Sequence, residues 1–130
     1  MPIPYQIDIE TSVIRTKCVG AVSLEDVLGH FDKLETDPRC PRQLDVLLDF
    51  SELETVPEKD QLIAVADRIE RLKGQVTFDV CAIVVKSDVI YGVARMFAVF
   101  AESQFRMTRV FREFLQAEFW LQSVRQKPHN

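Results

Sequence analysis

The sequence predicts a single α/β domain over residues 1–130, with elements in the order β-β-α-β-α-β-α-β-α. Strand-like apolar runs alternate with segments of helical periodicity, which is typical of a mixed, mostly parallel sheet covered by helices. Only Thr11 and Ser12 separate the first two strand-like runs, so these runs form an N-terminal hairpin. A chain of 130 residues with 47% hydrophobic composition has the apolar content of one packed domain.

The first half of the chain contains three predicted strands and one helix. Alternating apolar and polar residues place strands at Gln6–Glu10 and Val13–Val19. Ser23 is the predicted N-cap of a helix that ends before Pro38, because a residue preceding proline avoids the helical conformation. The apolar stripe of this helix contains Leu24, Val27, Leu28, Phe31 and Leu34. The run Leu44–Phe50 is typical of a central strand covered on both faces, and a loop follows it at Ser51–Val56.

The second half contains two more strands and three helices. A helix begins near Pro57, whose missing amide is tolerated in the first turn, and ends at Gly74. Strands follow at Asp79–Val85 and Met107–Phe111. The last helix has an apolar stripe at Phe114, Ala117, Trp120, Leu121 and Val124. Residues 126–130 are predicted to form a frayed tail.

The helix between the last two strands is apolar on almost every side. It begins after Ser87, a predicted N-cap, and its apolar character continues to Ala101. A surface helix normally buries a single stripe, so this helix needs cover on a second side. A second subunit, a hydrophobic ligand or a neighbouring helix each meets that need. The candidate interface residues are Gly92, Met96, Val99 and Phe100, and Gly92 is expected to allow a close approach to the backbone.

Composition and motifs exclude several classes of protein. A net charge of −4 with thinly spread basic residues argues against nucleic-acid binding. Three cysteines without C-x-x-C spacing argue against a disulfide framework and a zinc site, and they favour reduced thiols in the cytoplasm. The sequence has neither the features of a signal peptide nor an uncharged apolar run of about 18 residues, so no membrane span is expected. No metal and no cofactor is predicted.

The candidate ligand-binding residues are Asp49, Ser51, Tyr91 and Arg95. Asp49 ends a central strand, where open α/β sheets often bind ligands, although capping of the following loop is the favoured interpretation. Tyr91 and Arg95 lie four residues apart and share one helix face. A buried guanidinium there requires an anionic ligand or, as the favoured interpretation, a structural ion pair, either with a residue such as Asp49 or Asp79 or across a dimer interface.

No catalytic arrangement is recognisable, and we expect no enzyme activity. A Gly-rich phosphate loop, H-E-x-x-H and G-x-S-x-G are all absent from the sequence. Asp26 and His30 have the spacing of an acid/base pair, but no nucleophile accompanies them, and His30 is predicted to be exposed or at the boundary. An enzyme that used Asp49, Tyr91 and Arg95 would need Asp49 and Arg95 to face one cleft.

Three local signatures carry a family resemblance. They are Leu48–Ser51 at the end of the central strand, Tyr91–Phe97 at the start of the apolar helix, and Val110–Leu121, a strand leading into the last helix. Together with the element order, they resemble the SpoIIAA-like branch of the STAS fold, the fold of bacterial anti-sigma factor antagonists. The likeness extends more broadly to CRAL-TRIO lipid-transfer domains. The resemblance covers nearly the whole chain and implies the same mixed sheet.

The chain departs from this family at the segment that carries its phosphoswitch. In the antagonists, an Asp-Ser-Ser/Thr-Gly motif follows the central strand, and a partner kinase phosphorylates a serine there. In this chain Pro57 and Glu58 stand where the Asp-Ser pair is expected. The switch is therefore not implied, and Ser51 or Thr55 would have to replace that serine.

Two functions remain open at this stage. The first is a non-catalytic regulatory or protein-interaction module of STAS-like type, located in the cytoplasm and working as a homodimer. The alternative is a carrier or sensor of a small apolar or anionic, lipid-like ligand. In that case the helix from Val89 to Phe105 would line the pocket, with Tyr91 and Arg95 as its orienting polar groups.

Overall fold

The chain folds into a five-stranded sheet with helices on both faces, described in a computed structural model for residues 3–125. Its elements are β1 (Tyr5–Asp8), β2 (Val13–Gly20), α1 (Leu24–Thr36), β3 (Gln43–Leu53), α2 (Lys59–Leu72), β4 (Thr77–Val84), α3 (Asp88–Phe100), β5 (Met107–Phe111) and α4 (Phe114–Arg125). This order confirms the predicted α/β class and succession of elements. The predicted tail at 126–130 lies outside the described residues.

The strands lie in the sheet in the same order as in the chain, β1-β2-β3-β4-β5. β1 pairs antiparallel with β2, as the predicted hairpin requires, and the other three pairs are parallel. Parallel connections are right-handed, so three crossovers in one direction put α1, α2 and α3 on one face of the sheet. We call this the first face, and α4 packs on the second face.

Strand residues alternate between these two faces, as pleating requires. On the first face, Ile14, Val46 and Ile83 belong to the larger hydrophobic core under α1, α2 and α3. The second face has a smaller core under α4, formed by Val13, Leu47, Val80, Ala82, Val84, Ala117, Leu121 and Val124. β4 is buried on both faces because it contributes to both cores, in agreement with its almost uninterrupted apolar sequence.

Local signals place the starts of two helices where the sequence predicted them. In α1, the Ser23 hydroxyl accepts a hydrogen bond from the Asp26 amide at 3.1 Å, and the Asp26 carboxylate accepts one from the Ser23 amide at 3.0 Å. In α3, the Ser87 hydroxyl accepts from the Ile90 amide at 3.1 Å. Each cap satisfies an amide that the first helical turn leaves free. α2 instead begins after Glu58, so Pro57 precedes the helix.

Three strand boundaries differ from the prediction by two or more residues, and one of them is the start of β4, at Thr77 rather than Asp79. β1 ends at Asp8, and Ile9 lies in the turn with 63% of its surface exposed. β3 continues to Leu53, so the predicted loop is wrong for Ser51–Leu53. This extension pairs with the end of β2, where Gly20 lies opposite Leu53. Backbone pairing with a distant strand, rather than local propensity, therefore determines where β3 ends.

Two sets of ion pairs fix helices over the sheet. Arg68 of α2 is buried and donates to Asp32 and Glu35 of α1, with N···O distances of 2.9 and 2.8 Å. Arg15 of β2 donates two hydrogen bonds to the Glu118 carboxylate of α4, at 2.9 and 3.0 Å. The first set, which joins Arg68 to Asp32 and Glu35, fixes the spacing between α1 and α2. The second holds α4 against the second face.

Candidate functional site

An apolar cavity of about 130 Å³ lies between the first face of the sheet and α1, α2 and α3. The apolar stripes of the helices supply Phe31, Leu62 and Phe97 to its wall, and the strands supply Ile14 and Val46. An engineered protein cavity of about 150 Å³ lined by apolar side chains stays dry and binds benzene. This cavity therefore has the size and lining to hold a small apolar molecule.

One side of the cavity lies at the carboxyl ends of β2 and β3. Val22, which follows β2, and Thr55 and Pro57, which follow β3, all belong to its wall. The Thr55 hydroxyl accepts from the Val22 amide and donates to the Val22 carbonyl, both at 3.1 Å. These bonds hold the two connections together beside the cavity. In open α/β sheets, ligands commonly bind at this edge.

His30 of α1 is a polar residue of the cavity wall that the sequence prediction misplaced. It is only 7% exposed, so the prediction of an exposed or boundary position is wrong. Its ring packs against those of Tyr5 and Phe31, with centroid distances of 5.0 and 5.4 Å. A signal was present in the sequence, because His30 continues the stripe through Val27, Phe31 and Leu34 at helical spacing.

The two ring nitrogens of His30 have different surroundings. Nε2 lies 3.4 Å from the Thr16 hydroxyl, whereas Nδ1 is buried without a hydrogen-bond partner among residues 3–125. Asp26 and His30, which lie four residues apart, therefore do not form a hydrogen-bonded acid/base pair. Burial lowers the pKa of His30 from 6.5 to about 4, and the charge of Lys33 adds to this shift. The imidazole is consequently neutral at physiological pH.

Tyr91 and Arg95 lie outside the cavity wall. Arg95 is exposed, so the expectation of a buried guanidinium is wrong. Its guanidinium carbon lies 5.9 Å from the centre of the Tyr91 ring, and that of Arg112 lies at 4.6 Å. The ion pair that was favoured for Arg95 does not form with Asp79. The Asp79 carboxylate instead accepts hydrogen bonds from Arg106 at 2.9 and 3.0 Å.

Asp49 and Ser51 lie on the other side of the sheet from Tyr91 and Arg95. Asp49 is opposite Val84 in the register, and Val84 faces α4. The Asp49 carboxylate accepts hydrogen bonds from the Ser51 amide at 3.0 Å and the Ser51 hydroxyl at 2.6 Å. Asp49 therefore bonds to a nearby amide, as the capping interpretation expected, but Ser51 belongs to β3 and not to a loop. The sheet therefore separates the predicted ligand residues into two pairs, with Asp49 and Arg95 on opposite sides of it.

The two residues considered as replacement phosphorylation sites are both engaged in hydrogen bonds. The Ser51 hydroxyl donates to Asp49, and the Thr55 hydroxyl bonds twice to the Val22 backbone. Phosphorylation of either residue would break these contacts, and at Thr55 it would place charge against an apolar cavity.

The exposed side of α3 carries a narrow apolar stripe formed by Val89, Gly92, Met96 and Val99, which we call the α3 stripe. Val89 is 59% exposed and Val99 is 64% exposed. Nothing within residues 3–125 comes within 4 Å of a Cβ placed on Gly92, so the close approach expected there does not occur inside this chain. Phe100, the other candidate interface residue, is half-buried. The intervals of three, four and three residues are those of a helix–helix seam.

The thiols and carboxylates offer no further site in the described chain. Cys18, Cys40 and Cys81 are free, and burial raises the pKa of each thiol, to about 11 for Cys18. Thiols with raised pKa values are poor nucleophiles. No group of three or more metal-ligating side chains occurs among residues 3–125. In the same range, no helix has the length and hydropathy needed to cross a membrane.

The fold is similar to a solved structure of an uncharacterised DUF3478-family protein with a SpoIIAA-like fold, from Shewanella loihica PV-4. The similarity covers 92% of this chain and 91% of that one, at 20% sequence identity and a TM-score of 0.58. This chain therefore has a SpoIIAA-like fold, as its sequence resemblance predicted. At this identity the likeness shows the fold alone. No protein-family model matches the chain, and no curated protein matches it.

Proposed function

We propose that this protein is a non-catalytic carrier or sensor that binds a small apolar molecule in the cavity under α1, α2 and α3. The observation that carries this proposal is the cavity itself, whose wall contains no Asp, Glu, Lys or Arg side chain. A volume of about 130 Å³ corresponds to a ligand of about six or seven non-hydrogen atoms. A long-chain lipid and an anion both fit this site poorly, the lipid because of its size and the anion because no cation lines the wall.

Binding of benzene tests this proposal. Benzene at ten times its dissociation constant should stabilise the protein by about 1.4 kcal/mol, or about 4 °C in melting temperature for a chain of this size. Ala94→Leu fills the cavity, because Ala94 belongs to its wall. Ala98→Leu is a matched control on the same helix, outside the wall.

We expect benzene to stabilise the wild type and Ala98→Leu but not Ala94→Leu. Protein NMR spectra should show shifts confined to cavity residues. An unchanged melting temperature in the wild type, or equal stabilisation of Ala94→Leu, would contradict ligand binding in this cavity.

A second candidate function is a protein-interaction module that dimerises through the α3 stripe. Three observations favour it: the stripe is apolar, its spacing matches a helix–helix seam, and the open space over Gly92 admits a second helix backbone. A stable dimer would bury about 800 Å² on each subunit, more than α3 alone presents, so residues beside the stripe would contribute.

Sedimentation equilibrium at micromolar concentration tests the dimer. We expect a mass of two chains for the wild type and of one chain for Met96→Lys, which places a charge in the stripe. Ile9→Lys is the matched control, because it replaces an exposed apolar residue in the hairpin turn. A wild-type protein that sediments as a single chain would exclude this homodimer.

A further inference from the structure

We infer that two copies of this protein pair through α3 in antiparallel orientation, with Met96 of each copy lying over Gly92 of the other. This inference rests on the second candidate function, the dimer through the α3 stripe, and specifies how its two helices are arranged. It follows from the order of the residues in the stripe and from two charges beside it.

The spacing of the α3 stripe is the same when it is read in either direction. Val89 and Val99 lie five residues on either side of Ala94, and Gly92 and Met96 lie two residues on either side of it. An antiparallel pair with a two-fold axis beside Ala94 therefore places Val89 opposite Val99, and Gly92 opposite Met96. A parallel pair instead places each residue opposite its own copy. The stripe thus matches a second copy of itself in the antiparallel orientation.

The sizes of the facing side chains favour this orientation. Apart from the backbone of its own helix, nothing in the described chain comes within 4 Å of a Cβ placed on Gly92, so the space over this residue is open. Met96 is 42% exposed and has a long, flexible side chain that fills such a space. In a parallel pair, two methionines would meet at one level and two glycines would leave a gap at another, with a loss of packing contacts.

Two charged residues lie beside the stripe on one flank of α3. Arg95 and Glu102 are exposed and seven residues apart, and neither forms an ion pair within residues 3–125. The chain keeps its helical path as far as Glu102, whose amide donates to the Val99 carbonyl at 3.3 Å. The Arg95 guanidinium lies near the Tyr91 ring, so this side chain leans toward the start of the helix.

An antiparallel pair brings these opposite charges together across the interface. The two-fold axis keeps the same flank of both helices on one side, so Arg95 of one copy faces the flank that carries Glu102 of the other. Side chains lean toward the start of their own helix, and in antiparallel helices these directions converge. Two equivalent ion pairs therefore form in each dimer. In a parallel pair, the charged flank would instead face the flank that carries Val93 and Phe100.

Disulfide cross-linking tests the orientation of the two helices. Val89→Cys and Val99→Cys, at two exposed positions, are oxidised separately and as an equal mixture. We expect a cross-linked dimer only in the mixture, because the antiparallel pair holds each of these residues about 15 Å from its own copy, whereas a disulfide needs Cα atoms within about 7 Å. About half of the dimers in the mixture contain one chain of each variant, which sets the expected yield.

The wild type, oxidised in the same way, is the control for the native thiols, of which Cys40 is the least buried. It should give no cross-linked dimer. Sedimentation equilibrium of both variants verifies that the substitutions leave the dimer intact.

Charge reversal tests the ion pairs independently. Arg95→Glu turns both pairs into contacts between like charges, so we expect the dissociation constant of the dimer, measured by sedimentation equilibrium, to rise about tenfold. Adding Glu102→Arg reverses both charges and should restore the dissociation constant to within about twofold of the wild-type value. Lys33→Glu is the matched control, because it makes the same change in net charge at an exposed position on α1.

The possible outcomes separate this inference from the functions proposed above. If each cysteine variant forms a disulfide with its own copy, the helices pair in parallel, and this inference fails while the dimer stands. A dimer that gives no cross-link in any sample, or whose affinity the double charge reversal does not restore, also contradicts it. A wild-type protein that sediments as a single chain excludes the dimer and this inference together. Ligand binding in the cavity is independent of all these results.

Discussion

His30 occupies a position where an aliphatic side chain would pack with less cost. Its neighbours are aromatic and aliphatic, and only the Thr16 hydroxyl lies close to one ring nitrogen. The environment disfavours the charged imidazolium, and the pKa of His30 therefore falls from 6.5 to about 4. Because the pKa of His30 differs between the folded and the unfolded chain, the free energy of unfolding depends on pH.

The direction of this dependence follows from proton binding. Below pH 6.5 the unfolded chain binds a proton at His30 that the folded protein does not accept until about pH 4. Stability should therefore be complete above pH 6.5 and decrease as the pH falls toward 4, by about 2 kcal/mol at pH 4.5. Urea unfolding at about pH 7.5 and about pH 4.5 measures this loss.

The variant His30→Leu isolates this contribution from that of the carboxylates. Its loss of stability over the same interval should be smaller than that of the wild type by about 2 kcal/mol. Asp37, whose pKa is lowered mainly by its hydrogen bonds with Arg39, contributes only at lower pH. Equal losses in the two proteins would mean that folding does not shift the pKa of His30.

At the scale of elements, the contact between α1 and α2 includes one buried cation beside its hydrophobic packing. Arg68 is 8% exposed and donates to carboxylates on two successive turns of α1. We expect Arg68→Ala to lower the free energy of unfolding by about 1 to 2 kcal/mol, a value reduced by the exposure of Asp32. Urea denaturation measures the change.

Arg71→Ala is the control for this experiment. Arg71 lies on the same helix and is exposed, so its removal should change stability by less than about 0.5 kcal/mol. An equal effect of both substitutions would show that the loss of a positive charge on α2, rather than the loss of the contact with α1, causes the change in stability.

Most elements of this fold were predictable because their signals are local. The caps at Ser23 and Ser87 and the apolar stripes depend on residues within a few positions of each other. The structure contains them as predicted, except that Phe114 of the α4 stripe is 41% exposed. The end of β3 was not predictable in this way. Its last residues are extended because they pair with β2, a contact that no local pattern encodes.

The candidate site was predictable only in part, because it depends on which face each residue occupies. Spacing predicted that Tyr91 and Arg95 share a helix face, and these two side chains do lie together. Whether a strand residue points toward α3 or α4 depends on its register in the sheet, and a shift of one residue moves the side chain to the other face. The cavity arises from the packing of three helices, so no single segment shows it.

At the scale of the whole molecule, we expect the backbone amides in the centre of the sheet to be the best protected against hydrogen exchange. β4 lies between β3 and β5 and is covered by helices on both faces, whereas β1 is a short edge strand. Amide hydrogen exchange of Val80–Val84 should therefore be the slowest, with an opening free energy close to that of global unfolding.

Exchange measured by NMR or mass spectrometry tests this gradient. The amides of β1 should exchange faster than those of β4 by about two or more orders of magnitude, because an edge strand opens locally. Uniform protection of all five strands would instead indicate that the sheet opens only as a unit.

During synthesis, helices can cover the first face of the sheet earlier than the second face. Each of α1, α2 and α3 follows a strand and can pack on the first face while synthesis continues, since domains begin to fold from the N-terminal side. Among the described helices, α4 is the one that covers the second face, and it leaves the ribosome after all five strands have been made. A nascent chain that has been synthesised as far as Phe111 therefore still exposes Val13, Leu47 and Val80 to solvent. We expect a chaperone to bind the nascent chain most strongly in the interval before α4 emerges from the ribosome.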